Sequence, residues 1–142
     1  MAEFSIKHLT KKDRDKAKVS IALFWKTLPD TKTISHFLDN PHNILLSAEV
    51  AGESIGQLIG YVLDRWDRHE PMLFLYSIDV MEKYHRQGIA RALIKEFRKI
   101  GRELGCSKTF VFTNENNIPA MRLYESSGGK RLNQDDVMFE YD

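Results

Sequence analysis

Cysteine is nearly absent from this chain. Cys106 is the single one in 142 residues, so no intrachain disulfide can staple the fold. It could be a nucleophile, but no histidine neighbours it in sequence and it borders an apolar strand, which favours a structural thiol. An excess of charge is lacking as well: 21 basic and 20 acidic residues leave a formal net charge of +1. That balance gives no reason to expect nucleic acid or an acidic membrane as a partner. Long apolar runs are missing, with no stretch of about 18 residues able to span a bilayer. Met1-Ala2-Glu3-Phe4-Ser5 has no basic stretch with an apolar one after it, so no secretory signal is expected and a cytoplasmic location is. His8, His36 and His42 show no metal-ligand spacing and no Cys/His cluster exists, so no metal is expected. Repeats, low-complexity tracts and Pro/Gly/Ser linkers are absent too, which leaves one domain over residues 1–142. A hydrophobic content of 42% suits a single core in a chain of this length.

What is present reads as strands with helices set between them. Phe4, Ile6 and His8 alternate as an opening strand. Thr10 and Asp13 form a capping-box-like start to a helix reaching about Leu28, with Ala17, Ile21, Phe24 and Trp25 as its apolar stripe. Thr31 to Leu38 predicts a second helix, closed by Asn40-Pro41. Ile44 to Val50 and Ile55 to Asp64 predict two strands joined through Ala51-Gly52-Glu53. Met72 to Val80 predicts a fourth strand, Gln87 to Leu104 a long helix, and Cys106 to Phe112 a fifth strand. Pro119 opens a last helix that Gly128-Gly129 ends. Val137-Met138-Phe139-Glu140-Tyr141 predicts a final strand. Such an order argues for an α/β (α+β) sandwich: a single mixed sheet with helices on both faces.

One junction carries chemistry. The run Leu73 to Val80 is apolar, β-branched and aromatic, and it is soon followed by the basic, small-residue turn His85-Arg86-Gln87-Gly88-Ile89-Ala90. After the turn, Ile89, Leu93, Ile94, Phe97, Ile100 and Leu104 recur at helical spacing. Free N–H groups at a helix start, the helix dipole, and the charges of Arg86 and Arg91 together suit an anion such as a phosphate. A tight strand-to-helix turn that binds nothing is the competing reading.

These residues resemble a known family. Val80 to Ile94 is similar to the acetyl-CoA-binding motif of the GNAT N-acetyltransferase superfamily, R/Q-x-x-G-x-G/A, with Gly88 and Ala90 at the small positions and His85 at the Arg/Gln position. Asn114 to Gly128 resembles the superfamily's downstream N-x-x-A-x-x-L-Y-x-x-x-G segment. Two motifs in order are far more specific than one glycine pattern. The resemblance implies the GNAT fold, acetyl-CoA as cosubstrate, a homodimer, and a cofactor site of Ile78, Val80, His85, Arg86, Gln87, Gly88, Ile89, Ala90, Arg91 and Asn117. It implies that backbone groups at the splayed end of the fourth strand, Ile78-Asp79-Val80, hold the pantetheine arm, and that the Tyr124 hydroxyl lies near the thioester sulfur. A narrower resemblance joins Leu23-Phe24, Gly60 to Leu63, Leu75-Tyr76, Arg86 to Ala90 and Asp136 to Phe139 to the type I aminoglycoside 3-N-acetyltransferases. Those enzymes carry Asp where Ser77 stands here, and a small residue in place of Asp79.

The chemistry of acetyl transfer sets the candidate roles. The amine must be neutral when it attacks, and the departing thiolate needs a proton. Tyr124 is the candidate acid, since a phenol is protonated at neutral pH; as a plain core aromatic it would pack inward with Met121 and Leu123. Asn117 doubles as a helix N-cap beside Pro119. Asp79 and Glu70 are the carboxylates nearest the expected cleft and the candidate bases, with Tyr76, Ser77 and His69 as alternatives, although Asp79 could instead bind a cationic substrate. His69 and Trp66 lie in a polar loop, where Trp66 could pack on a substrate ring or cover the core edge. The expected substrate is a small-molecule amine, an aminoglycoside being a plausible one. Its ammonium groups would meet carboxylates from Asp64, Asp67, Glu70, Asp79, Asp135, Asp136 and Glu140. A protein or peptide amine, and a non-catalytic acyl-CoA-binding module, are the other two readings.

Overall fold

The computed structural model describes residues 3–133 and 135–142. Five strands form one sheet in the order β1-β2-β3-β4-β5: β1 (Ser5–Leu9), β2 (Asn43–Val50), β3 (Glu53–Leu63), β4 (Met72–Val80) and β5 (Lys108–Val111). The first three pairings are antiparallel and β4–β5 is parallel. The parallel pairing follows from the connection, because α3 (Ile89–Glu103) crosses between its two strands. Helices α1 (Arg14–Trp25) and α2 (Thr31–Asp39) lie between β1 and β2 in the chain.

Alternation along the strands feeds two layers. Leu45 and Ile59 are cross-strand partners and share a core cluster with Leu9, Ala17 of α1, and Ile34 and Leu38 of α2. The next residue along, Gly60, points the other way. A Cβ there would lie 2.2 Å from Phe97 of α3, so only glycine lets this fully buried ring sit on the sheet. Helices therefore cover both faces, and α3 is seated hard against β3.

Residues up to Phe112 and residues from Thr113 on form two compact units. The second holds α4 (Ile118–Ser126) and the residues after it. Where the sequence predicts a strand, Val137, Met138, Phe139 and Tyr141 stand 75–92% exposed and belong to none. Their composition suits a strand, but a strand exists only where its backbone finds a partner. α1 also stops earlier than the sequence suggests, at Trp25, because Lys26 turns left-handed (φ 54°) and returns its N–H to the Ala22 carbonyl. Thr10 and Asp13 do form a capping box, around a single 3-10 turn ahead of α1.

Candidate functional site

β4 is the element that shapes the site. Leu75 pairs with Gly60 and Ser77 with Ile59, so Tyr76 is an extra residue, a β-bulge. Pairing with β5 ends at that point, at Leu75–Val111. Beyond the bulge, Tyr76 to Val80 is laddered to β3 alone. Met81 N–H donates to the Ile55 carbonyl at 2.9 Å, which makes Gly56 and Val80 a non-hydrogen-bonded pair. The N–H and C=O groups of Val80, and of Ile78 two residues earlier, thus point away from β3 toward the edge that β5 has left. Those of Asp79 turn into the ladder, so of the three residues expected to offer backbone groups two turn them outward.

The turn after β4 leads into α3 through two left-handed residues, Arg86 (φ 62°) and Gly88 (φ 81°). Gly88 is the N-cap, and a Cβ placed on it would meet nothing within 4 Å. The backbone angle favours glycine there, and the space above it is open. Two other helices close their starts with side chains: Asp30 accepts from Thr33 N–H at 2.7 Å for α2, and Asn117 accepts from Ala120 N–H at 3.2 Å for α4, while α1 has no such cap but carries Asp15 in its first turn. α3 has no side-chain cap and no acid in its first turn, where acids are normally favoured. Its start lies beside exposed Arg86 and Arg91, with open space over Gly88. That is a cradle for an anion.

The expected cofactor residues behave differently from one another. Ile89 is buried, so only its backbone can serve, and Ala90 is half-buried. The His85 ring turns back to β4, its Nε2 2.7 Å from the Val80 carbonyl, and ties the turn to the strand end. With the proton on Nε2 the ring donates. Gln87 also folds inward: its Nε2 reaches the Lys83 carbonyl at 3.4 Å, and its Oε1 is buried with no hydrogen-bond partner. Both side chains shape the turn instead of projecting over it, so a ligand would meet their backbone. Asn117 caps α4, and Tyr124 is half-buried on that helix with Met121 and Leu123.

On the α1/α2 face, Asp79 stands opposite Gln57, and Ser77 opposite Ile59. Burial raises the Asp79 pKa above the usual carboxylate value, although part of the side chain remains open to water. Ser77 Oγ is buried with no hydrogen-bond partner. Tyr76 is 53% exposed and lies nearly parallel to Trp25 (centroids 6.1 Å, 12°), with Tyr61 edge-on at 5.8 Å. Trp25, expected in the core stripe of α1, is instead 42% exposed at the helix end. Its importance could not be read from a 3.6-residue stripe, because the ring it meets is placed by a bulge in a distant strand.

Other candidates lose ground. Asp67 is held bidentate by Arg65, with both contacts at 2.9 Å, which lowers its pKa and spends its charge. Trp66 is 97% exposed and so does not cover the core edge. Asp64, His69 and Glu70 are exposed. Burial pushes the half-buried Cys106 thiol up, the wrong direction for a nucleophile. Among the described residues no three His, Cys, Asp or Glu side chains converge on a metal-sized site, and no helix is long and apolar enough to cross a membrane.

Comparison with known proteins places this geometry. Residues 9–129 match the model of the Acetyltransferase (GNAT) family. Human N-acetyltransferase 8 is 31% identical over 87 residues, which are 61% of this chain and 38% of that protein. The chain thus spans well under half the length of that relative. An aminoglycoside acetyltransferase from an uncultured soil metagenomic sample, in complex with sisomicin, superposes with a TM-score of 0.88 at 21% identity, covering 98% of this chain and 95% of that one. An aminoglycoside antibiotic 6'-N-acetyltransferase from Acinetobacter baumannii gives 0.77 at 17%, covering 99% of each. A ribosomal-protein-alanine N-acetyltransferase from Brucella melitensis biovar Abortus 2308 gives 0.77 at 22%, covering 99% and 100%. At such identities these structures speak for the fold alone.

Proposed function

Because the chain belongs to the Acetyltransferase (GNAT) family, we propose that it is an acetyl-CoA-dependent N-acetyltransferase acting on a small-molecule amine. The observation that carries this reading is the junction of β4 and α3: outward Ile78 and Val80 backbone groups beside an uncapped helix start with open space over Gly88. Acetyl-CoA supplies a thioester whose carbonyl carbon accepts the amine. The residues present fit it. Backbone N–H groups of residues 88–91, with Arg86 and Arg91, would hold a diphosphate. Ile78 and Val80 would pair the amides of the pantetheine arm as an added strand would. Val80 N–H can donate to an acyl oxygen as negative charge develops on it.

Asp79 is the proposed base. Its raised pKa makes it a better acceptor for an ammonium proton than an ordinary aspartate, and leaves the amine neutral for direct attack in a ternary complex. Tyr124 is the proposed acid that protonates the departing sulfur, an assignment carried by its place in the Asn117–Tyr124 segment. Asn117 contributes by shaping the start of α4. Trp25 is not needed for these steps; Tyr76 and Trp25 instead offer aromatic faces for the ring of an amine substrate.

An aminoglycoside is the substrate this reading favours, supported by the aminoglycoside acetyltransferases among the structural neighbours and by a carboxylate beside aromatic rings. The earlier resemblance points to the 3-amino group, whereas the Acinetobacter neighbour is a 6'-N enzyme, so the position acetylated belongs to the test. A peptide or protein amine is the second reading, favoured by the Brucella neighbour. A homodimer, carried by family likeness, is part of the proposal. Free-thiol release from acetyl-CoA decides among them, with a panel of sisomicin, spermine and peptides with N-terminal alanine or internal lysine. Turnover is expected with sisomicin. Turnover with peptides alone would replace the substrate class, and none with any amine would remove the enzymatic reading.

A further inference from the structure

The aromatic face beside Asp79 is held from inside the protein by polar groups that no chemical step uses. Gln57 lies on β3 opposite Asp79, with 1% of its surface exposed. Its Oε1 accepts from Trp25 Nε1–H at 3.0 Å, and its Nε2 donates to Ser20 Oγ at 2.8 Å. Ser20 Oγ lies 3.1 Å from Ser54 Oγ, which also accepts from Ser47 Oγ at 2.9 Å. Ser20 and Ser47 are wholly buried and Ser54 nearly so. The chain of bonds crosses α1, β2 and β3 and emerges at the Trp25 indole.

Such a network is costly to build into a core. A buried amide or hydroxyl without a partner costs about 1–3 kcal/mol, so every member has to be satisfied. Methionine at position 57 would fill nearly the same volume with no such demand. Nor does the indole need Gln57 for satisfaction, because Trp25 stands at an exposed helix end where water could accept from it. What the network supplies is direction. An indole has one donor, and an amide fixed at both ends accepts it from one side only. The plane of Trp25 is thereby set nearly parallel to Tyr76, against which Tyr61 also stands edge-on.

We propose that Gln57 is a positioning residue for the acceptor: through the Trp25 indole it orients the Trp25–Tyr76 pair so that a ring-borne amine is received beside Asp79. This rests on the acetyltransferase reading above, and it predicts selectivity for amines carried on a ring over linear ones.

The test uses the full chain and steady-state kinetics, with sisomicin as the ring-borne probe; turnover of spermine or the peptides without sisomicin would overturn the inference at once. Gln57→Met and Trp25→Phe each delete the same hydrogen bond, the first from the buried side and the second from the exposed helix end. Each is expected to raise the amine KM about tenfold, with kcat within about threefold and the acetyl-CoA KM unchanged. The double variant should be no worse than either single one, since both remove one interaction. In a Trp66→Phe background Trp25 is the sole tryptophan, and Gln57→Met should shift its emission and speed its depolarisation. A lower Tm with wild-type amine KM and wild-type emission would reduce the network to a structural role and overturn the inference. If Tyr76→Ala and Trp25→Ala also leave the amine KM unchanged, the acceptor face itself has been misplaced. A panel empty of substrates removes the parent reading, and the inference with it.

Discussion

Asp79 and Gln57 face each other across β3 and β4, one a carboxyl kept partly in water and the other an amide sealed in the core. Burial raises the Asp79 pKa, so its base form accumulates only above the ordinary aspartate range. If Asp79 takes the amine proton, the acid limb of kcat/KM should lie above that range, and Asp79→Asn should lower kcat/KM by about 10²-fold, within the usual span for a positioned base, and remove the limb. The same shift sets a sign for stability. A carboxyl whose folded pKa is raised binds its proton more tightly when folded, so its stabilising contribution is complete below the ordinary aspartate value. It is lost as pH rises through the raised value. Denaturant titrations of the wild type and Asp79→Asn across that window should converge toward low pH in slope, with only the wild type falling as the pH climbs. An acid limb that survives in Asp79→Asn would return the base role to Ser77, Tyr76 or water.

At the scale of elements, the decisive feature is how α3 begins. Its N-cap needs a left-handed residue, and the space above that residue is empty of protein. Gly88→Ala therefore carries backbone strain alone, about 1–2 kcal/mol of stability. Gly88→Glu carries the same strain with a negative charge aimed where diphosphate is proposed to lie. Calorimetry with acetyl-CoA should show at least a tenfold larger Kd for Gly88→Glu than for Gly88→Ala. Equal affinities would remove the diphosphate assignment, since strain is common to both. This element was legible in advance, because Gly88, Ala90 and the stripe from Ile89 to Ile100 lie close together in the sequence. The bulge at Tyr76 was not. It exists only as a register shift against β3, a relation between residues some distance apart that no local pattern records. Gln57 was hidden for the same reason: a polar residue in a half-alternating strand looks solvent-facing until α1 is laid over it. The run Val137 to Tyr141 failed the opposite way, with strand composition and no strand beside it among the described residues.

At the scale of the whole molecule, the residues given proposed roles fall in two compact units. The cofactor cradle, Asp79 and the aromatic pair belong to the larger one, ending at Phe112; Asn117 and Tyr124 belong to the smaller. Binding and leaving-group chemistry should then be separable by mutation. Tyr124→Phe keeps the ring and its packing on α4 and deletes the hydroxyl. If Tyr124 only packs, the rate should stay near wild type with a small change in Tm. If it donates a proton to the departing sulfur, single-turnover acetyl transfer should fall by roughly 10²-fold, the lower part of the range for a positioned general acid. Acetyl-CoA affinity, proposed to rest on residues 78–91, should change little, because the hydroxyl would act as the bond to sulfur breaks. An acyl donor with a more acidic thiol leaves without help, and should recover part of the lost rate in Tyr124→Phe while gaining little with the wild type. Rescue of that kind separates lost protonation from a displaced cofactor, which no change of leaving group would repair. Single-turnover measurement is required, since slow product release would mask a chemical defect. A wild-type single-turnover rate in Tyr124→Phe would leave water as the proton source and confine Tyr124 to holding α4 together.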